Sequence, residues 1–191
     1  MSISTFSPAS LTWPSLTVRP GHEADIDAVT AIYAHAVRYG TSSFEIVAPD
    51  AMEMARRRSD VIGKGWPWLV AENQGGILGY AYANAFRPRP AYRFTVEDSI
   101  YLHADAQGQG VGKALLAELM ARCADAGARQ MLAVIGDSNS LGSIALHRAL
   151  GFEPAGLFNA VGWKFGRWLD MVMMQRALGP QGALPPPGGL G

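Results

Sequence analysis

With 191 residues, 49% of them hydrophobic, the chain is long enough to bury a sizeable core and short enough to form a single α/β domain. Its 16 Lys and Arg balance 16 Asp and Glu, which excludes the broad positive field of a nucleic-acid or anionic-membrane binder. One cysteine, Cys123, excludes an internal disulfide and suits a reducing cytoplasm, and no apolar run approaches a bilayer span.

Residues 1–15 are rich in Ser, Thr and Pro and lack the charged and apolar regions of a signal peptide, so they read as a flexible arm. A short strand is expected over 16–19, then an amphipathic helix over 24–39 with Val29, Ile32, Tyr33, Ala36 and Val37 on one stripe. Asp50 and Glu53 after Pro49 resemble the capped start of a second helix that ends near Gly63. Its weaker face is anchored by Met52, Ala55 and Ile62. Strands over 68–72 and 77–85 flank the hairpin turn Asn73-Gln74-Gly75-Gly76, and two prolines make 87–93 a loop.

The stretch 97–113 organises the rest. Ser99, Tyr101 and His103 alternate with Ile100, Leu102 and Ala104 as in a strand. The chain then turns through Gln107-Gly108-Gln109-Gly110-Val111-Gly112 into a helix on which Val111, Leu115, Leu119 and Cys123 recur every fourth residue. Glycines admit a ligand close to the backbone, and the free N–H groups of a helix start face an anion, so a phosphate-bearing cofactor is expected there. A P-loop is excluded because Ala114 follows Lys113 where a magnesium-binding hydroxyl is needed, and a dinucleotide fingerprint wants a third glycine where Lys113 stands. Beyond it come a strand over 130–135, a helix over 141–150 capped by Gly151, and strands over 152–158 and 168–176. The Pro- and Gly-rich stretch 179–191 is expected to be disordered.

The spacing Gln-x-x-Gly-x-Gly fits the pyrophosphate loop of the GCN5-related N-acetyltransferases. The chain resembles that family over about 18–178, and within it the phosphinothricin and methionine sulfone/sulfoximine N-acetyltransferases. The residues that carry the resemblance are Thr95-Val-Glu-x-Ser-Ile-Tyr101, the glycine turn, Ser143-Ile-Ala-Leu-His147 with Leu150-Gly-Phe152, and Val161-Gly-x-Lys-Phe-Gly-Arg-Trp-Leu-Asp170. The resemblance implies one domain over 16–178, with a mixed, mostly antiparallel sheet of about six to seven strands and about four helices. It also implies acetyl-CoA as donor, a small-molecule amine as acceptor, and a homodimer. The 161–170 stretch, with Trp163, Phe165 and Trp168 close together, is the candidate for part of that contact. Backbone groups of Ile100, Tyr101 and Leu102 would pair with the pantetheine arm, and Gly108, Gln109, Gly110, Val111, Gly112 and Lys113 would hold the pyrophosphate. The family usually has Asn-x-x-Ser before the His-x-x-Leu-Gly-Phe stretch, and here Ser140 stands at the Asn position with Asn139 one earlier. Either could contact the coenzyme.

An ammonium acceptor must lose a proton before it attacks a thioester. Glu97, on the central strand, is the candidate general base, while alternation turns Asp98 to the other face and sets it aside. His147 is either the acid that protonates the leaving thiolate or a packed histidine. The matching arginine of the subgroup makes Arg87 the partner of an acceptor anion, and Phe44, Tyr92 and the 164–168 stretch are candidate pocket walls. His22, His35 and His103 lack metal-ligand spacing, so no metal is expected. Two alternatives stand beside an amino-acid acetyltransferase. One is an acetyltransferase for a protein N-terminus or antibiotic amine, and the other is a non-catalytic nucleotide-binding module.

Overall fold

The computed structural model describes residues 16–179. The expected arm over 1–15 and, Gly179 apart, the tail over 179–191 lie outside the described residues. In chain order the elements are β1 (Thr17–Pro20), α1 (Ile26–Tyr39), α2 (Ala51–Gly63), β2 (Trp68–Asn73), β3 (Gly76–Ala85), β4 (Thr95–Leu102), α3 (Val111–Asp125), β5 (Gln130–Gly136), α4 (Leu141–Ala149), β6 (Glu153–Lys164) and β7 (Arg167–Ala177). The seven strands form one sheet ordered β1-β2-β3-β4-β5-β7-β6. Only β4 and β5 run parallel, and every other neighbouring pair is antiparallel. The mixed, mostly antiparallel sheet is the one expected.

Alternation along each strand divides the core into two layers. Leu69, Ala71, Ala81, Ala83 and Val96 face α3, which buries Leu115, Leu116, Leu119 and Cys123 completely. Trp68, Val70 and Tyr80 face α1 and α2. Each large apolar side chain taken from water contributes roughly 1.5–3 kcal/mol, so the leucine face of α3 fixes the helix firmly to the sheet. Burial pushes the Cys123 thiol up to about 12, with Asp98 adding to the shift, so it is a packed thiol and not a nucleophile.

Helix α2 starts as its sequence indicates, with the Asp50 side chain accepting from Glu53 N at 2.8 Å. Its buried face is only in part the expected one, since of the three anchors Ala55 alone packs against the core layer of α1 and β2. Met54 and Val61 pack inward while Met52 and Ile62 are exposed, because the stripe that meets α1 and β2 is rotated from the one the apolar residues suggested. Strand β6 is also longer than its expected 152–158. It bulges after Phe158, where Ala160 takes φ 54°, and resumes pairing at Gly162. It ends in a tight turn in which Phe165 and Gly166 both have positive φ. The 163–168 stretch is therefore a hairpin in which Trp163 pairs with Trp168 and Lys164 with Arg167.

Candidate active site

Strands β4 and β5 pair only from Thr95–Gln130 to Asp98–Ala133. Beyond that point β4 runs on to Leu102 and β5 to Gly136 without pairing, so their facing main-chain groups open onto a gap. On its other side β4 stays paired with β3 through Leu102. The gap is the floor of a cavity of about 410 Å³, lined on one side by Glu97, Ser99, Ile100 and Tyr101 and on the other by Val134–Gly136 and Ser140. Residues 42–45, from the connection between α1 and α2, form a further wall.

The glycine turn follows β4. Gly108 (φ 72°) and Gly110 (φ 84°) adopt the left-handed conformation, and a Cβ at either would meet nothing within 4 Å. Gly110 caps α3, whose first backbone bond runs from Ala114 N to Gly110 O, so the N–H groups of Val111, Gly112 and Lys113 are not used by the preceding turn of helix. An open turn lined with main-chain donors fits a pyrophosphate-bearing coenzyme. Gly112 has a different task. A Cβ there would lie 3.2 Å from Leu146 and 3.3 Å from Leu102, so this glycine lets the start of α3 close on α4 and β4. The Gln109 side chain donates to Asp105 O, and the Lys113 side chain is exposed.

Glu97 and Asp98 leave β4 on opposite faces, as alternation requires. Glu97 lies on the face of Tyr101, half-buried in the cavity. Burial, and then the charge of Asp98, raise its pKa above the ordinary glutamate value, while the charge of Arg87 opposes the shift. Asp98 turns to α4, where its Oδ2 lies 3.1 Å from His147 Nε2. The other ring nitrogen, Nδ1, lies 2.7 Å from the Ser143 carbonyl. Both nitrogens thus face acceptors, and Nδ1 donates to the carbonyl. The remaining site, between Nε2 and Oδ2, holds one proton. Burial disfavours the imidazolium, but the hydrogen bond and charge of Asp98 outweigh it, and the His147 pKa lies above its usual value. The pair is 2% exposed on each side, and Asp98 Oδ1 has no partner among the described residues. Asp98 and His147 are also part of the cavity lining, so the ring is buried yet borders the site, and both readings of His147 stand.

The other expected site residues divide. Phe44 and Ser140 line the cavity. Ser140 Oγ donates to Gly136 O, while Asn139 lies outside the lining and its side-chain amide donates to Asp137. Arg87 and Tyr92 do not line the cavity. Both are exposed on the loop between β3 and β4 and pack against Phe86, the Arg87 guanidinium 4.9 Å over its ring. Trp168 also lies outside the lining. Among the described residues no group of three or more His, Cys, Asp or Glu is placed to hold a metal.

The profile of the acetyltransferase (GNAT) family matches residues 30–152. The chain belongs to the GNAT family. It is 56% identical to a phosphinothricin N-acetyltransferase of Alcaligenes faecalis over 162 residues, covering 85% of this chain and 82% of that protein. It is 38% identical to an L-methionine sulfoximine/L-methionine sulfone acetyltransferase of Pseudomonas aeruginosa, covering 90% and 99%. Among solved structures it resembles a GNAT superfamily phosphinothricin acetyltransferase of Sinorhizobium meliloti in complex with AcCoA. That match has a TM-score of 0.87 and 52% identity, and it covers 91% of this chain and 94% of the other.

Within this GNAT domain, sequence reasoning passed over three groups. Asp98 was set aside for facing away from Glu97, yet the same parity aims it at α4 and His147. Glu45 and Ser143 also line the cavity, and only the packing of their elements against the gap brings them there.

Proposed function

We propose that this chain transfers the acetyl group of acetyl-CoA to the α-amine of a small amino-acid-like acceptor of the methionine sulfone, methionine sulfoximine or phosphinothricin type. The observation that carries the reading is the Glu97 carboxylate, held in the cavity where β4 and β5 part, beside a glycine turn fit for a pyrophosphate. Relatives that act on these acceptors support it.

Acetyl-CoA supplies an activated acyl thioester. The chain's own residues hold that donor, bind the acceptor and move its proton. Gly108–Lys113 offer main-chain donors to the pyrophosphate, and the unpaired edge of β4 at Ile100–Leu102 offers groups to the pantetheine arm. Glu97 takes a proton from the acceptor ammonium, directly or through water. A pKa raised by burial brings its basicity closer to that of the amine. The cavity volume, about 410 Å³, is that of a small-molecule site.

Arg87 is the partner for the acceptor carboxylate. Arg87 sits on the loop between β3 and β4, and its charge acts on Glu97 against the effect of burial. If Arg87 binds ground and transition states alike, Arg87→Ala raises KM for methionine sulfone by about ten- to a hundredfold with little loss of kcat. Free-thiol release over a panel of amines tests the whole reading. Equal activity on plain alkyl amines, or an Arg87→Ala enzyme with wild-type KM, would contradict it.

The enzyme is proposed to work in the cytoplasm as a homodimer. Buried, unpaired Cys123 suits the first. For the second, β6 is the long edge strand of the sheet, and Leu157, Phe158, Val161, Trp163, Phe165 and Trp168 on the β6–β7 hairpin are each about half exposed. Light scattering at micromolar protein is expected to give twice the chain mass, and a monomer mass would refute the dimer.

A further inference from the structure

Lys164 sits where a charge is expensive. Its side chain is buried at the end of β6, and its Nζ donates to Gly40 O at 2.9 Å and Ser43 O at 2.7 Å. Among the described residues no carboxylate lies within ion-pair distance of it. Burial pulls its pKa below the ordinary lysine value, with the charge of Glu45 opposing. Its other contact is the Phe165 ring, 5.0 Å from the ammonium to the ring centroid. Without a carboxylate partner the ammonium adds little to stability that a methionine of similar length would not, so its value lies in what it holds.

What it holds is the connection between α1 and α2, the segment that brings Phe44 and Glu45 to the cavity wall. Two glycines complete the arrangement. A Cβ on Gly136 would lie 2.2 Å from Thr41 O and 2.8 Å from the Phe44 ring. A Cβ on Gly162 would lie 2.5 Å from that same ring. The Phe44 ring is thus slotted between the backbones of β5 and β6, where only glycine fits on either side. From the other side of the segment, the Tyr33 hydroxyl bonds Ser43 Oγ and Glu45 at 2.9 Å each, and Arg57 bonds Glu45 at 2.6 Å. Tyr33 and Arg57 belong to the flanking helices α1 and α2. Lys164 and Gly162 belong to the far edge of the sheet, and neither lines the cavity.

We propose that Lys164 and Gly162 are positioning residues for acceptor binding, which fix Phe44 and Glu45 as the wall of the cavity and thereby set which acceptor fits. This rests on the reading of the cavity as the acceptor site. The Val161–Asp170 stretch then serves the site through its hairpin end: Lys164 reaches the connection ahead of α2, while Arg167 and Asp170 bond Asp137 and Ser138 ahead of α4.

The test compares Lys164→Met and Gly162→Ala with wild type, using acetyl-CoA with L-methionine sulfone or phosphinothricin. Loss of two charge-assisted bonds, or a methyl group pushed against the Phe44 ring, is expected to raise acceptor KM about ten- to a hundredfold. The KM for acetyl-CoA and the urea midpoint of Lys164→Met stay close to wild type, and the preference between the two acceptors changes. Limited proteolysis between Gly40 and Asp50 reads the same contact without any acceptor, and cleavage is expected to be faster in Lys164→Met. Wild-type acceptor KM in both variants, a parallel rise in KM for acetyl-CoA, or an unchanged cleavage rate overturns the proposal. Should wild type acetylate neither acceptor, the functional reading fails while the proteolysis still decides the clamp.

Discussion

Glu97→Gln is expected to cut turnover by about 10²–10⁴-fold while leaving acetyl-CoA affinity nearly unchanged. The substitution keeps the shape of the side chain and removes only its capacity to accept a proton. The coenzyme turn is built from Gly108–Lys113, and nothing in it depends on the carboxylate. The pH profile gives a second handle. Burial and the neighbouring Asp98 charge raise the Glu97 pKa, so the base becomes protonated, and idle, at a higher pH than an ordinary glutamate near about 4.3. Turnover of the wild type therefore falls as pH drops through that raised value. Glu97→Gln lacks this limb and is slow throughout. A variant that keeps most of its turnover at pH 7 assigns proton removal to another group.

Asp98→Ala is expected to destabilise the fold by about 3–5 kcal/mol, the cost of leaving one member of a buried ion pair without its partner. Both members are almost completely enclosed, so solvent does little to screen the pair. The folded pKa of His147 is raised above its unfolded value. The stability the pair contributes is therefore fully present below the unfolded histidine pKa of about 6.5, and it fades as pH rises through the folded value. Urea unfolding should show the Asp98→Ala penalty in full at acidic pH and reduced at alkaline pH. In a double-mutant cycle with His147→Ala, the double variant should lose much less than the sum of the two single losses, since it strands neither group. Additive losses would show that the two groups do not act as a pair. A His147→Ala enzyme with wild-type stability and a large loss of kcat would instead make the imidazole the acid that protonates the leaving thiolate.

Local chemistry was enough to reveal the order of elements, the capped start of α2, the open glycine turn and the opposite facing of Glu97 and Asp98. Each depends on residues near one another in the chain: a side chain reaching the next turn of backbone, a φ that only glycine takes easily, or the two-residue period of a strand. The family resemblance pointed to Ser140, and Phe44 was a candidate pocket wall; both reach the cavity. Local reasoning erred where a contact with a distant element decides. Met54 and Val61 of α2 are buried in place of Met52 and Ile62 because α1 and β2 select the face, and a weak apolar stripe does not. The run of β6 beyond Phe158 escaped notice because a bulge interrupts its period and β7, not local propensity, restores the pairing at Gly162. Tertiary structure alone joined Asp98 to His147 across 49 residues and Lys164 to Ser43 across 121. A lone charged residue in a strand carries no mark of its partner. Whether it meets solvent, a carboxylate or two carbonyls is settled only when the sheet brings distant segments together and excludes the water between them.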